Sequence, residues 1–155
     1  MTEAVGNTDW EQITNYEHSR GVDAEALANR QALIDAYEAV SAGDYAPYWA
    51  LIDPSVVFHE APYLPYGGSH HGIEAVERAF AAVAATFSAN RVEHHEVLTA
   101  GEYCISYFTC TFRIASNGVT GTLPVTEIFR FKNGKIVDWR VNYFDAAMMV
   151  EALTS

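Results

Sequence analysis

The sequence predicts an α+β fold, with helices packed on one face of a curved, mostly antiparallel sheet. Apolar residues recur at helical spacing through most of the first half, and from Asn90 onward they alternate instead. Two Asn-Gly dipeptides, in "SNGV" and "KNGK", read as hairpin turns between strands of the second half. Helices first and a strand meander after them is the order of an α+β domain.

Residues 1–22 read as an N-terminal extension, and residues 23–155 as one domain. In the extension, Thr8 with Glu11 resembles a capping box and predicts a short helix around Trp10 to His18. From Asp23, the residues Leu27, Leu33, Ile34, Tyr37 and Val40 form a helical stripe that Gly43 ends. "YAPYWALID" reads as a short second helix with Pro47 in its first turn and Pro54 beyond its end. A strand Val56–Ala61 and a Pro- and Gly-punctuated loop with His70 and His71 come next. In "GIEAVERAFAAVAATF", Ile73, Val76, Phe80 and Val83 share the face of a third helix. Four strands follow, in "NRVEHHEVLTAG", "EYCISYFTCTFRIAS", "VTGTLPVTEIFRFK" and "KIVDWRVNYFD". Asp145 then caps a last helix, "AAMMVEAL".

Composition narrows the function classes. A chain of 155 residues, 50% hydrophobic and 13% aromatic, can bury a sizeable core and is not disordered. A net charge of −11 repels phosphate backbones and argues against nucleic acid. The apolar runs are too short for a membrane span, and the first residues lack the pattern of a secretory signal. Cys104 and Cys110 lie too far apart on one strand to bridge, which fits a reducing compartment. A cytoplasmic protein with no membrane partner is expected.

Alternation identifies the residues that face the core. Leu123, Val125, Glu127, Phe129 and Phe131 share one face of their strand, and Glu127 alone among them is charged. Phe108, Cys110, Phe112 and Ile114 form the matching set on the strand before, and Val137, Trp139, Val141 and Tyr143 on the strand after. A carboxylate on such a face must be paired, hydrated or protonated, and internal carboxylates often mark sites. His59 is the second anomaly. In "VVFHEA" one parity turns Val57 and His59 inward, and the other buries Val56, Phe58 and Glu60.

"AYEAVSAGDY", "VVFHEAPYLPYGGSHHGIEAV" and "GKIVDWRVNYFD" together resemble the SnoaL-like and ketosteroid-isomerase-like branch of the nuclear-transport-factor-2-like superfamily, over roughly Leu27 to Asp145. The resemblance implies a cone-shaped curved mixed sheet wrapped on about three helices, a cystatin-like α+β barrel. It also implies a deep apolar pocket and a homodimer formed through the outer sheet face. Glu127 falls where the isomerases hold a protonated Asp in the oxyanion hole, whereas their general-base position is Ala61 and their first-helix tyrosine falls at Ala36, beside Tyr37. The same register turns His59 inward.

Two of three isomerase positions therefore depart, and the expected activity is broader. It is acid–base chemistry without metal or organic cofactor on a small apolar ring or carbonyl substrate: isomerisation, dehydration or cyclisation. His59 is the candidate general base, and Glu127 the hydrogen-bond donor to the oxyanion or, if the two are in contact, the group that orients His59. Tyr37, Tyr63, Phe108, Trp139, Val141 and Tyr143 are the candidate substrate contacts. A non-catalytic pocket for a hydrophobic ligand is the alternative reading, and an epoxide hydrolase, which needs an Arg–Asp–Asp set, is the third. "EHHE" at Glu93–Glu96 invites a metal, but adjacent strand residues face opposite ways, so no metal site is expected. The exposed Tyr103, Ile105, Tyr107 and Ile128 mark the expected dimer face.

Overall fold

The computed structural model describes residues 21–155. The expected helix around Trp10 to His18 lies outside the described residues. Helix α1 (Ala24–Ser41) starts where the Asp23 carboxylate accepts from Ala26 N at 2.8 Å. Its buried stripe is Ala26, Asn29, Leu33 and Ala36, so Leu27, expected inside, is 54% exposed. The small Ala26 side chain allows close approach to the sheet, where Thr99 Oγ1 donates to Ala26 O at 3.2 Å. Helix α2 (Ala46–Leu51) runs directly into strand β1 (Ile52–Glu60), which begins earlier than the sequence suggested. Pro54 lies inside β1, where the pairing with its neighbour shifts between Ile52 and Val57, as a residue without an N–H requires.

The stretch read as loop before the third helix holds an extra strand, β2 (Gly68–His71), antiparallel to β1. Gly67 precedes it because a Cβ there would lie 2.2 Å from Ala61 O. Helix α3 (Ile73–Thr86) then leads into β3 (Phe87–Ala100), β4 (Tyr103–Ile114), β5 (Thr120–Lys132), β6 (Lys135–Tyr143) and helix α4 (Ala146–Thr154). Asp145 caps α4 through Met148 N at 2.9 Å. The turn between β5 and β6 has positive φ at Asn133 and Gly134, the geometry that an Asn-Gly pair favours.

Among the described residues six strands form one curved, open sheet in the order β2-β1-β6-β5-β4-β3, which is mixed because β1 and β6 run parallel. Two apolar clusters fill its concave side. One includes Leu33, Phe58, Phe129 and Trp139, and the other Phe112, Leu123, Val125 and Met149. Between them the chain leaves a space that side chains do not fill.

Candidate active site

That space is a cavity of about 680 Å³, walled by residues from both clusters. Phe58, Phe80, Phe108, Phe112, Trp139 and Tyr48 make its surface largely aromatic. The carboxylates among its lining residues are Glu60 and Glu127.

Glu127 projects from the middle of β5, between the inward-facing Val125 and Phe129. Protein surrounds it, yet part of its surface stays open to the cavity. Loss of water raises its pKa to about 7, although Tyr37 and Trp139 beside it act in the opposite direction. Tyr37 Oη donates to Glu127 Oε2 at 3.1 Å. Trp139 Nε1 is buried next to the carboxylate without hydrogen-bond geometry to any partner among the described residues, so its N–H acts on Glu127 as a nearby dipole. Burial first, and then the Glu127 charge, push the Tyr37 hydroxyl well above its ordinary pKa, so it remains a donor.

Glu60 closes β1 and reaches the same cavity. It is 8% exposed, and burial lifts its pKa to about 8, with a further push from the Glu127 charge. Tyr143 Oη lies 3.2 Å from both Glu60 oxygens, and Tyr66 Oη lies 3.4 Å from Tyr143 Oη. Tyr143 partly offsets the burial of Glu60 by donating to it. The two carboxyls repel each other's charge. The first to ionise therefore holds the second protonated, and near neutral pH the pair keeps about one proton between them.

His59 does not face this cavity, which corrects the inward register expected for it. Strand β1 buries Val56, Phe58 and Glu60, the other parity, because Phe58 packs against Trp139 inside, with ring centroids 4.4 Å apart and planes tilted by 44°. His59 turns outward and ties three strands together. Its Nδ1 meets Ser69 Oγ of β2 at 2.9 Å, and its Nε2 meets Asp138 Oδ2 of β6 at 3.0 Å. Arg140 Nε donates to Asp138 Oδ1 at 3.1 Å. Burial raises the Asp138 carboxyl, but hydrogen bonds from His59 and Arg140 outweigh it and hold the pKa below the ordinary value. Tyr63 accompanies His59 in a shallow outer depression with Arg140 and Asn142, and it does not line the cavity.

The other expected contacts do line it: Tyr37, Phe108, Trp139, Val141 and Tyr143 stand on its wall together with Glu127. A family model described as a SnoaL-like domain matches residues 33–139, well over half of the chain. The chain belongs to the SnoaL-like domain family. A search of curated proteins found no match. Among solved structures, an NTF2-like protein of unknown function from Burkholderia pseudomallei is similar at 27% identity and TM-score 0.74, over 83% of this chain and 98% of that one. A SnoaL-like polyketide cyclase, so described, from Jannaschia sp. is similar at 16% identity and TM-score 0.69, over 88% of this chain and 99% of that one. TerC, co-crystallised with polyporic acid, is similar at 18% identity and TM-score 0.71, over 83% of this chain and 99% of that one. The last two likenesses are likenesses of fold.

Against this SnoaL-like frame, sequence reasoning missed Glu60, Tyr66 and His94 as cavity residues. Glu60 was visible as the alternative parity of β1, and the signal that would have chosen it is Phe58, a large aromatic that alternation pairs with Glu60. Tyr66 sits in the irregular loop, where alternation has no meaning. His94 stands beside an irregularity of β3 that periodicity does not announce.

Proposed function

We propose that this protein is a small-molecule enzyme performing acid–base chemistry on an apolar ring or carbonyl substrate held in the cavity. The observation that carries the reading is the pair Glu60 and Glu127, two carboxyls raised to about 8 and about 7 that face one aromatic cavity. A group titrating near the working pH is suited to exchange protons with a substrate. Glu127, which accepts from Tyr37 and lies beside the Trp139 N–H dipole, ionises first and takes a proton from carbon. The electron pair of that C–H bond moves onto the carbonyl oxygen. Protonated Glu60 donates a hydrogen bond to that oxygen, and the proton on Glu127 returns to a second carbon in an isomerisation. In a dehydration or cyclisation the same two groups would serve one as base and one as acid. This exchanges the role first expected of Glu127, because the Tyr37 donor and the Trp139 N–H dipole favour the ionised form.

His59, by its outward position, serves to tie strands in this reading and not as the base. The SnoaL-like domain and the cyclase of similar fold support a cyclase or isomerase type of chemistry, and the aromatic walls suit a hydrophobic ligand. Self-association would use the outer sheet face, where Leu98, Tyr103 and Tyr107 are exposed and Leu98, Ile105 and Ile128 lie in cross-strand register. Light scattering should give a dimer mass at micromolar concentration, and a monomer mass would defeat the dimer.

The catalytic reading is tested without knowing the reaction. Cyclic ketones and enones are incubated with the protein in D₂O, and α-deuteration is followed by NMR. Exchange by the wild type that Glu127→Gln abolishes supports proton abstraction in the cavity. Binding of the same ketones with no exchange and no turnover would make this a ligand-binding module instead.

A further inference from the structure

Strands β1 and β6 run side by side as far as the pair His59 and Arg140. Beyond that pair β1 ends at Glu60, while β6 continues through Val141 and Asn142 to Tyr143. The chain after Glu60 leaves the strand in two tight turns, with Leu64 N donating to Ala61 O at 3.1 Å and Gly67 N to Leu64 O at 2.9 Å. A gap therefore opens between this loop and the last residues of β6. It is the outer depression that holds Tyr63, His59, Arg140 and Asn142, with a volume of about 290 Å³. The acid–base reading above makes no use of it.

The depression and the cavity share three lining residues, Glu60, Val141 and Tyr143. All three belong to the inner face, yet the parting of β1 from β6 lets the outer surface reach them. Tyr143 spans the gap from β6 to Glu60, its Oη 3.2 Å from each carboxyl oxygen. The Glu60–Tyr143 pair is thus a thin partition between the aromatic cavity and the depression. A hydroxyl has one proton to give, so Tyr143 leaves the carboxyl with capacity for a further partner. Among the described residues no other side chain hydrogen-bonds Glu60. The outer side offers polar company: Tyr63 is 43% exposed, and Arg140 and Asn142 are exposed as well. A water takes up about 30 Å³ of liquid and needs about two to four polar partners. The depression has room for several waters and the groups to hold them.

We propose that the depression is a second opening to Glu60, on the outer face, through which the carboxyl exchanges protons with water while a ligand fills the cavity. A general acid that has given up its proton must recover one before it can act again. A ligand in the cavity excludes water from the inner side of the partition, and the outer side stays open. The exchange needs no further reactant: a water in the depression takes the Glu60 proton, and the solvent returns one. The carboxyl is then reset without release of the ligand. This deepens the acid–base reading and rests on it only in giving Glu60 a proton to exchange.

The test is carboxyl labelling of the full chain with a water-soluble carbodiimide and glycinamide near neutral pH, mapped by peptide mass spectrometry. Glu60 is compared with Glu127, which lines the cavity and not the depression. Asn142→Trp, at the rim, should slow labelling of Glu60 several-fold, and Tyr63→Ala should speed it, each with Glu127 unchanged. With saturating 1-tetralone, Glu127 should be protected while Glu60 still reacts. A wild-type Glu60 that does not react overturns the proposal. So does a Glu60 rate that the folded variants leave unchanged, or protection of both glutamates together by the ketone. Should Asn142→Trp fail to fold, Tyr63→Ala decides, and should the ketone protect neither group, the variants decide. Failure of the acid–base reading is seen separately, as α-deuteration that survives Glu127→Gln, and it leaves the labelling result standing.

Discussion

His59 and Glu60 are neighbours on β1 and meet opposite environments. His59, on the outer face, sits between Ser69 and Asp138, each within hydrogen-bond distance, and its Asp138 partner is held below its ordinary pKa. Glu60, on the inner face, has a single tyrosine donor against almost complete burial, and its pKa rises to about 8. The lesson is that a titratable residue at a strand end says little by itself. An outer hydrogen-bonded contact on the solvent side serves mainly to tie strands, while an inner carboxyl short of partners is stored in a form ready to exchange protons.

The comparison breaks most visibly in turnover. Glu60→Gln and Glu127→Gln should each lower kcat on the true substrate by about 10²–10⁴-fold, the usual worth of a general acid or base. His59→Ala should leave kcat within a few-fold of wild type. If His59→Ala removed turnover and the two glutamine variants retained it, the inner and outer assignments would be reversed.

A smaller effect concerns stability against pH. Glu60 and Glu127 have folded pKa values above the ordinary 4.5, so the folded state binds protons that the unfolded chain has already lost. Their contribution is fully present below about 4.5 and is lost as pH rises toward about 8. Asp138, whose pKa is lowered, contributes with the opposite sign: stability present above its unfolded pKa and lost in acid as pH falls through the folded value. Urea unfolding between these limits should show a downward slope with rising pH that the double variant Glu60→Gln, Glu127→Gln flattens. A slope unchanged in that variant would place its origin elsewhere.

Two finer probes sharpen the contrast. Tyr143→Phe removes the donor that partly offsets the burial of Glu60, so the Glu60 pKa should rise further and the pH profile of turnover should move with it. His59→Ala should lower stability by about 1 kcal/mol, the order of a partly buried hydrogen bond, as read from the urea midpoint. A loss several times larger would mean that the outer tie organises the β1 end as a whole.

The fold was legible because its signals are local and repetitive. Alternation placed Val125, Glu127 and Phe129 together on the inner face, and the Asn-Gly pair placed the turn at Asn133. Capping by Asp145 was readable for the same reason. What could not be read was parity in a short strand and position in irregular backbone. "VVFHEA" has apolar residues at both parities, so either Glu60 or His59 could have turned inward, and tertiary packing of Phe58 against Trp139 decided it. Leu27 lost its place to Ala26 because helix and sheet approach too closely for a larger side chain there, and no periodicity reports that distance. His94 needed the bulge at His95, which has no sequence mark.

The account depends above all on two carboxyls kept from ordinary titration by one cavity. Site-specific ¹³C NMR titration of the glutamate carboxyls, assigned through the glutamine variants, measures this directly. The account predicts that Glu127 and Glu60 titrate near 7 and 8, as a pair in which loss of the first proton delays the second. Two independent transitions near the ordinary value of 4.5 would contradict it.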